Sequence, residues 1–404
     1  MPHDTTAPRP GRPAARRVRR GIGAVCTVGV VWVGFSLGSV LVAPGSDSRA
    51  ARTAEWARDH HLGLFVGSAE KVQYQLHPPR VGGAPDAGAL AQLTAPPSAA
   101  PVAPAPPVTT GPKRSGSPTP TRAVTPQPIP VHAPLRPVVT PALPGEGTFH
   151  VEVVAHGLPV LQAAYLRPDS SRSSYVEGVV WIDHRASAWQ LHPGYEDPGA
   201  LSRWDQPDLI PSPARANLLA TFNGGFKTNE SRGGFYENGH TAGALLPGAA
   251  SLVIYRDGHM ELGSWGTEVS MTPQVAAVRQ NLQLMIDGGR IASDLQSNVR
   301  SNWGLTLGGG YAVWRSGVGV TAQGDTVVVM GPALTAQSLA NLLLDAGSVR
   351  AMEMDINPEW MSFMWYTPSG DPTRPTPHKL VDFARPADRY FSATSRDFFS
   401  LSLR

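Results

Sequence analysis

The chain has 404 residues, with 40 Pro and 42 Gly, enough length for two or three domains and too much Pro and Gly for all of it to pack. Its charge is unevenly divided: residues 1–147 carry 15 Lys+Arg and 7 Asp+Glu, whereas residues 148–404 carry 19 and 24. The C-terminal part is therefore acidic, which argues against a nucleic-acid-binding surface, and a single Cys excludes a disulfide framework or a Cys-based metal site.

In chain order, a basic tail over residues 1–20 comes first, with Arg16, Arg17, Arg19 and Arg20 at its end. It precedes an uncharged apolar run over residues 21–43, long enough to cross one bilayer core. A cleaved signal peptide is the alternative, but Pro44 follows the small residue at which cleavage would occur. The expectation is a single-pass membrane anchor with a cytoplasmic N-terminus and an extracellular C-terminal part. Residues 44–83 form a juxtamembrane element. Within it, 48–62 reads as a short helix capped by Ser48, with Trp56 on its apolar face. Ser68-Ala-Glu-Lys71 matches the S-x-x-K pattern without the companion motifs of the serine acyltransferases, and is assigned to chance. Residues 84–147 contain 17 Pro and no aromatic residue, the composition of an extended, disordered spacer.

From residue 148 onward the texture changes, with eight of the ten Trp and short apolar runs between Gly, Asp and Asn. Expected strands are 149–154, 163–166, 176–182, 218–222, 251–255, 282–286, 311–313, 326–330 and 349–355. One helix is expected between the last two, from an N-cap at Thr335 to Gly347, with Leu339, Leu342 and Leu343 at helical spacing. Strand, helix and strand together predict an α+β (mixed α/β), strand-rich fold for residues 148–404.

Chemistry is expected at the polar points between strands. Asn223-Gly224-Gly225 ends an apolar strand, where glycine allows a tight turn and a close approach to the backbone. Arg315 lies in an apolar strand, as an ion-pair partner or as an anion clamp. Gly317-Val-Gly319 imitates a dinucleotide fingerprint, but a strand follows it instead of a helix. Strand alternation places Glu353, Asp355 and Asn357 on one face and Met352, Met354 and Ile356 on the other. Two carboxylates so close would separate in pKa and could act as acid and base, or could simply form a solvated edge. No metal-ligand pattern accompanies them, and the cofactor is left unassigned.

In order and spacing, these motifs resemble the phosphodiester glycosidase family, whose members remove a sugar from a phosphodiester. The resemblance covers about residues 150–400. It rests on Asn223-Gly224-Gly225-Phe226, on Arg315-Ser-Gly-Val-Gly319, on the helix from Leu334, and on Asp355. The family's Asp-Gly-Gly-Gly-Ser is here Asp355-Ile-Asn-Pro-Glu-Trp360, and Lys227 stands where the family has a second Phe. The resemblance implies hydrolysis of a glycosyl phosphodiester of the cell envelope, with Asp355 and Glu353 as acid and base. Arg315 would bind phosphate, and Asn223, Gly224, Gly225, Asn357 and Lys227 would contact substrate. The other reading is an inactive wall-glycan-binding or structural module, with Trp360 and Trp365 suited to sugar stacking.

Overall fold

The computed structural model describes residues 31–43, 45, 47–62, 66, 68, 72, 74–94, 131–296, 302–304 and 311–404. Its contacts divide into a small unit, Met1–Pro44 with Ser48–Gly67, and a large one, Gly45–Asp47 with Ser68–Arg404.

In the small unit residues 31–41 are helical, and α1 (Arg49–Ala57) runs into a π-helical turn at Arg58–Leu62. Ser48 caps α1 by accepting the Ala51 amide at 3.1 Å. The Trp56 indole donates to Ser36 Oγ at 2.9 Å and stacks on His60 at 4.4 Å, while Arg52 donates to the carbonyls of Val40 and Ala43. The expected anchor over 21–43 begins outside the described residues. Among the described residues no helix is long and apolar enough to cross a membrane.

The large unit begins its described elements with α2 (Ala87–Thr94), followed by β1 (His150–Ala155), β2 (Leu158–Leu166), β3 (Glu177–Ile182), β4 (Ser187–His192) and β5 (Leu218–Asn223). Next are β6 (Phe235–Glu237), β7 (His240–Ala242), β8 (Ala250–Tyr255), β9 (Met260–Ser264), β10 (Val275–Gln280), β11 (Leu284–Asp287) and β12 (Arg290–Ile291). The last are β13 (Val313–Thr321), β14 (Thr326–Leu334), α3 (Ala336–Asp345), β15 (Ser348–Glu353), β16 (Phe363–Thr367), β17 (Thr376–Lys379) and β18 (Phe398–Leu403). The strands form three antiparallel sheets. One has eight strands in the order β1-β2-β3-β14-β13-β15-β11-β12, and the others have five each, β7-β6-β10-β8-β9 and β17-β16-β5-β18-β4.

This corrects the expected α+β (mixed α/β) class: among the described residues the unit is mostly β, and the transmembrane helix written into that class is not found there. The strand-helix-strand unit does exist. Its two strands, however, are not neighbours, because β13 lies between them and pairs antiparallel with both. One such crossover does not make an α/β layer when sheets cover most of the remaining faces.

The large sheet has two differently filled faces. Val318, Val328, Met330 and Met352 point into a core shared with Phe222, Phe363 and Phe399 of the β5 sheet. Val327, Val329 and Ala351 point to the other side, where they meet Leu339, Leu342 and Leu343 of α3. Each of those leucines is fully buried, worth roughly 2 kcal/mol of transfer free energy. Gly317 and Gly319 serve this packing: a Cβ on Gly317 would press on Leu343 and Leu339 at 3.0 and 3.2 Å, and one on Gly319 would collide with Ser348. Helix α3 starts in a capping box, with Ser338 N–H donating to Thr335 Oγ1 at 3.0 Å and Thr335 N–H to Ser338 Oγ at 2.9 Å.

Residues 84–94 and 131–147, assigned from composition to the spacer, carry packed structure. Leu93, Leu135 and Val139 are buried, and Glu146 accepts from both the Arg167 guanidinium at 2.8 Å and the Arg167 amide at 3.0 Å. A proline-rich segment can pack where spaced leucines and one buried ion pair give it something to bury. The rest of the expected spacer, residues 95–130, lies outside the described residues.

Candidate functional site

Strand β5 is buried along its whole length and delivers Asn223 to the point where it leaves the sheet. The Asn223 amide group ties three chains together: Oδ1 accepts the Ser362 amide at 3.1 Å, while Nδ2 donates to Ser316 Oγ at 3.1 Å and to the Gly224 carbonyl at 2.8 Å. Its own main-chain N–H donates to the Ser362 carbonyl at 3.1 Å. At Gly224 a Cβ would collide with Asp397, and at Gly225 with the Asn281 side chain. The close approach that glycine permits is thus used by the protein's own side chains. Asn281 in turn accepts the Phe226 amide at 3.1 Å and donates to the carbonyls of Glu353 and Met354 at 2.7 and 2.9 Å.

Beyond β15 the regular ladder breaks, and Met354 and Asp355 together face the single residue Ser316 of β13. Met354 N–H donates to the Ser316 carbonyl at 2.8 Å and Ser316 N–H to the Asp355 carbonyl at 3.0 Å. Asp355 Oδ1 accepts the amides of Ile356 and Asn357 at 2.7 and 2.9 Å, an Asx turn that fixes the carboxylate. Its Oδ2 faces the Arg396 guanidinium, 3.7 Å from Nη2. Arg396 lies over the Trp360 ring at 5.3 Å, donates to the Gly225 carbonyl at 3.2 Å, and has Asp197 Oδ2 at 3.9 Å from its Nε. Asp197 is held by Thr228, whose hydroxyl donates at 2.6 Å and amide at 3.1 Å. Next along the chain, Asp397 receives Arg279 at 2.7 and 3.3 Å. Burial pushes the Asp397 carboxyl up from the usual range, and Arg279 beside it pulls it back.

Asn223 and Asp355 therefore meet at Ser316, with Gly224 bonded to the Asn223 side chain and Gly225 linked to Asp355 through Arg396. Glu353 and Arg315 do not join them. Glu353 pairs with Gly317, whose missing side chain would face α3, so both Glu353 and Arg315 lie on the helix side of the sheet. There they form a fully buried ion pair with each other. Burial raises the Glu353 carboxyl, and Arg315 opposes that shift. Arg315 also donates to the carbonyls of Leu334, Trp303 and Tyr311 at 3.0, 3.2 and 3.3 Å. The alternation expected to align Glu353 with Asp355 is broken because Met354 and Asp355 both oppose Ser316, directly after the end of β15 at Glu353. Asn357 closes its own turn, Oδ1 accepting the Glu359 amide at 3.0 Å, and Lys227 is buried with its carbonyl accepting the amides of Glu230 and Ser231.

Sequence reasoning missed Arg396, Asp397, Arg279, Asp197, Asn281 and Ser316. A signal was present for some of them: Arg396-Asp397 puts opposite charges directly before the apolar run Phe398–Leu403, and Arg279-Gln280-Asn281 is a polar triplet ending an apolar strand. Among the described residues, one group has metal-binding potential, Asp183, His184 and Asp325, with ligand atoms within 4.8 Å of one another. There His184 Nδ1 meets Asp325 Oδ1 at 2.7 Å, and Arg185 occupies the Asp183 carboxylate.

No protein-family profile matches the chain, and no curated protein matches it in sequence. Among solved structures it is distantly similar to the zebrafish N-acetylglucosamine-1-phosphodiester alpha-N-acetylglucosaminidase catalytic domain, auto-inhibited by its pro-peptide. That similarity has 14% identity and a TM-score of 0.40, covering 62% of this chain and 85% of that one. A hypothetical protein from Synechocystis is similar at 12% identity and a TM-score of 0.34, over 62% of this chain and 63% of that one.

Proposed function

We propose that the β-rich unit hydrolyses a glycosyl phosphodiester, with Asp355, Arg396 and Asp197 as its reaction centre. The observation that carries this reading is a guanidinium flanked by two carboxylates that are each fixed from behind, Asp355 by two amides and Asp197 by Thr228. Glycosidic bonds are cleaved by paired carboxylates, and an arginine fork suits a phosphate group. In this reading Arg396 binds the phosphate oxygens and Asp355 Oδ2 takes a proton from water as that water attacks the anomeric carbon. The bond from that carbon to the phosphate oxygen breaks, its electron pair leaves with the phosphate, and Arg396 neutralises the charge. Asp197 stabilises the positive charge that develops on the sugar ring. An envelope glycan is the substrate source taken here, on the strength of the apolar run over residues 21–43 and the Pro-rich composition of residues 95–130.

One observation favours the other reading, a non-catalytic glycan-binding or structural module. Asp355, Arg396, Asp397, Arg279 and Trp360 are all nearly closed to solvent, as suits a structural charge network. Sugar release from a panel of sugar-1-phosphodiesters by the purified chain separates the two. Hydrolysis is expected, with a fall of about 100-fold or more in Asp355→Asn. Turnover unchanged by that substitution would sink the assignment, and no turnover alongside retained glycan binding would establish the module.

A further inference from the structure

A cavity of about 590 Å³ opens beside the first turn of α3, a size within the range of small-ligand pockets. We infer that it binds an oligosaccharide, gripped by Tyr74, Tyr311, Asp169, Gln296, Gln337 and Asn341. This site is independent of the Asp355 chemistry. Arg315, whose carbonyl partners include Tyr311, points to the helix side of β13, whereas the next residue, Ser316, reaches Asn223 on the core side.

The lining selects the ligand class. Two tyrosine rings meet edge to face at 5.0 Å, giving apolar faces with polar rims, which suit the alternating C–H and O–H surfaces of a sugar ring. Three carboxamides and one carboxylate supply planar donors and acceptors for neighbouring hydroxyls. Gln337 Nε2 donates to Asn341 Oδ1 at 2.9 Å, which leaves Gln337 Oε1 as acceptor and Asn341 Nδ2 as donor toward the cavity. Asp169 is fixed through Oδ1 by the amides of Ser171 and Arg172 at 2.8 and 2.9 Å, leaving Oδ2 to accept from a ligand hydroxyl.

The described lining offers hydroxyls, carboxamides and aromatic rings as its contact groups. Among the described residues no Lys, Arg or His contributes to it, and the Thr335–Ser338 capping box takes up the Ser338 amide of the helix N-terminus beside it. A single carboxylate, already bonded to two amides, is a poor basis for a cation site.

The walls are braced from within. Arg315 ties the carbonyls of Trp303, Tyr311 and Leu334, and Leu334 directly precedes the capping Thr335. One buried guanidinium, balanced by Glu353, thus fixes segments on two sides of the cavity, the kind of support that preorganises a binding site.

The test is isothermal titration calorimetry of the full chain with N-acetylglucosamine hexamer, maltohexaose, mannohexaose and xylohexaose. At least one is expected to bind, weakened about tenfold or more in Tyr311→Ala and in Gln337→Ala, and unchanged in Asp355→Asn. Tyr311→Phe keeps the ring and is expected to stay within a few-fold of the parent. Because Gln337 is a half-buried residue in the first turn of α3 whose side chain bonds only Asn341 among the described residues, its variant folds whatever the role of the tyrosine. Failure of all four sugars at millimolar concentration would overturn the proposal, as would binding that survives Tyr311→Ala and Gln337→Ala together. Binding lost in Asp355→Asn would assign the sugar to the reaction centre and overturn the separate site.

Discussion

Gly224 has almost no alternative at its position. The Asp397 carboxylate and carbonyl fill the space a Cβ would need, and that carboxylate is the partner of the fully buried Arg279. Gly224→Ala therefore has to push Asp397 off Arg279 or move β5, and either leaves a buried charge less well paired. A loss of roughly 2–4 kcal/mol in urea unfolding is expected. A change below about 0.5 kcal/mol, the level of an ordinary surface substitution, would show that the glycine is not needed for this packing. The sequence marks Asn-Gly-Gly as a special turn, but does not say what approaches it, because Asp397 lies at the far end of the chain and only the three-sheet fold brings it there. Arg315 fails in the opposite way. Its apolar surroundings were legible, and of the two roles they left open the structure shows the ion pair, with Glu353.

At the scale of elements, strands with long apolar runs were legible almost to their ends, as β3, β5 and β8 show. Others were lost for identifiable reasons. Strand β1 and the end of β2 were expected, but the start of β2 was not: the chain turns at His156 and Gly157, both with positive φ, and His156 does not advertise that conformation as glycine does. Strand β4 does alternate, Trp189 and Leu191 inward with Gln190 outward, but polar neighbours on both sides hide so short a run. Helix α3 was legible because cap, spacing and terminating Gly347 agree, and the cap makes a prediction at this scale. In Thr335→Ala the Ser338 amide loses its acceptor, with an expected cost of about 1 kcal/mol in urea unfolding. A cost under about 0.3 kcal/mol would mean that α3 is held by its leucines alone.

At the scale of the molecule, the mostly β outcome follows from how the faces are covered. One helix shields part of one face of the eight-stranded sheet, and sheet-on-sheet packing does much of the rest, a pairing of faces that local patterns do not encode. Such burial also draws ionisable groups inward, and these give the whole unit a pH dependence. Glu177 lies at the start of β3, fully buried near Asp169 and the Ala333 amide, and burial pushes its carboxyl up to about 8 from 4.5. Glu152 in β1 is raised to about 7 by the same cause. Between the unfolded and folded values the native chain holds a proton that the unfolded chain has released, so stability falls as pH rises. For Glu177 the loss begins near the unfolded value of 4.5 and is complete once pH passes about 8. Glu177→Gln carries no such proton, so its stability should decline less between pH 5 and pH 8 than that of the parent. The difference is expected to be a few kcal/mol, read from urea unfolding at the two pH values. Equal declines in parent and variant would show that Glu177 ionises in the folded state as it does in water, and that its burial has no influence on the pH response of the fold.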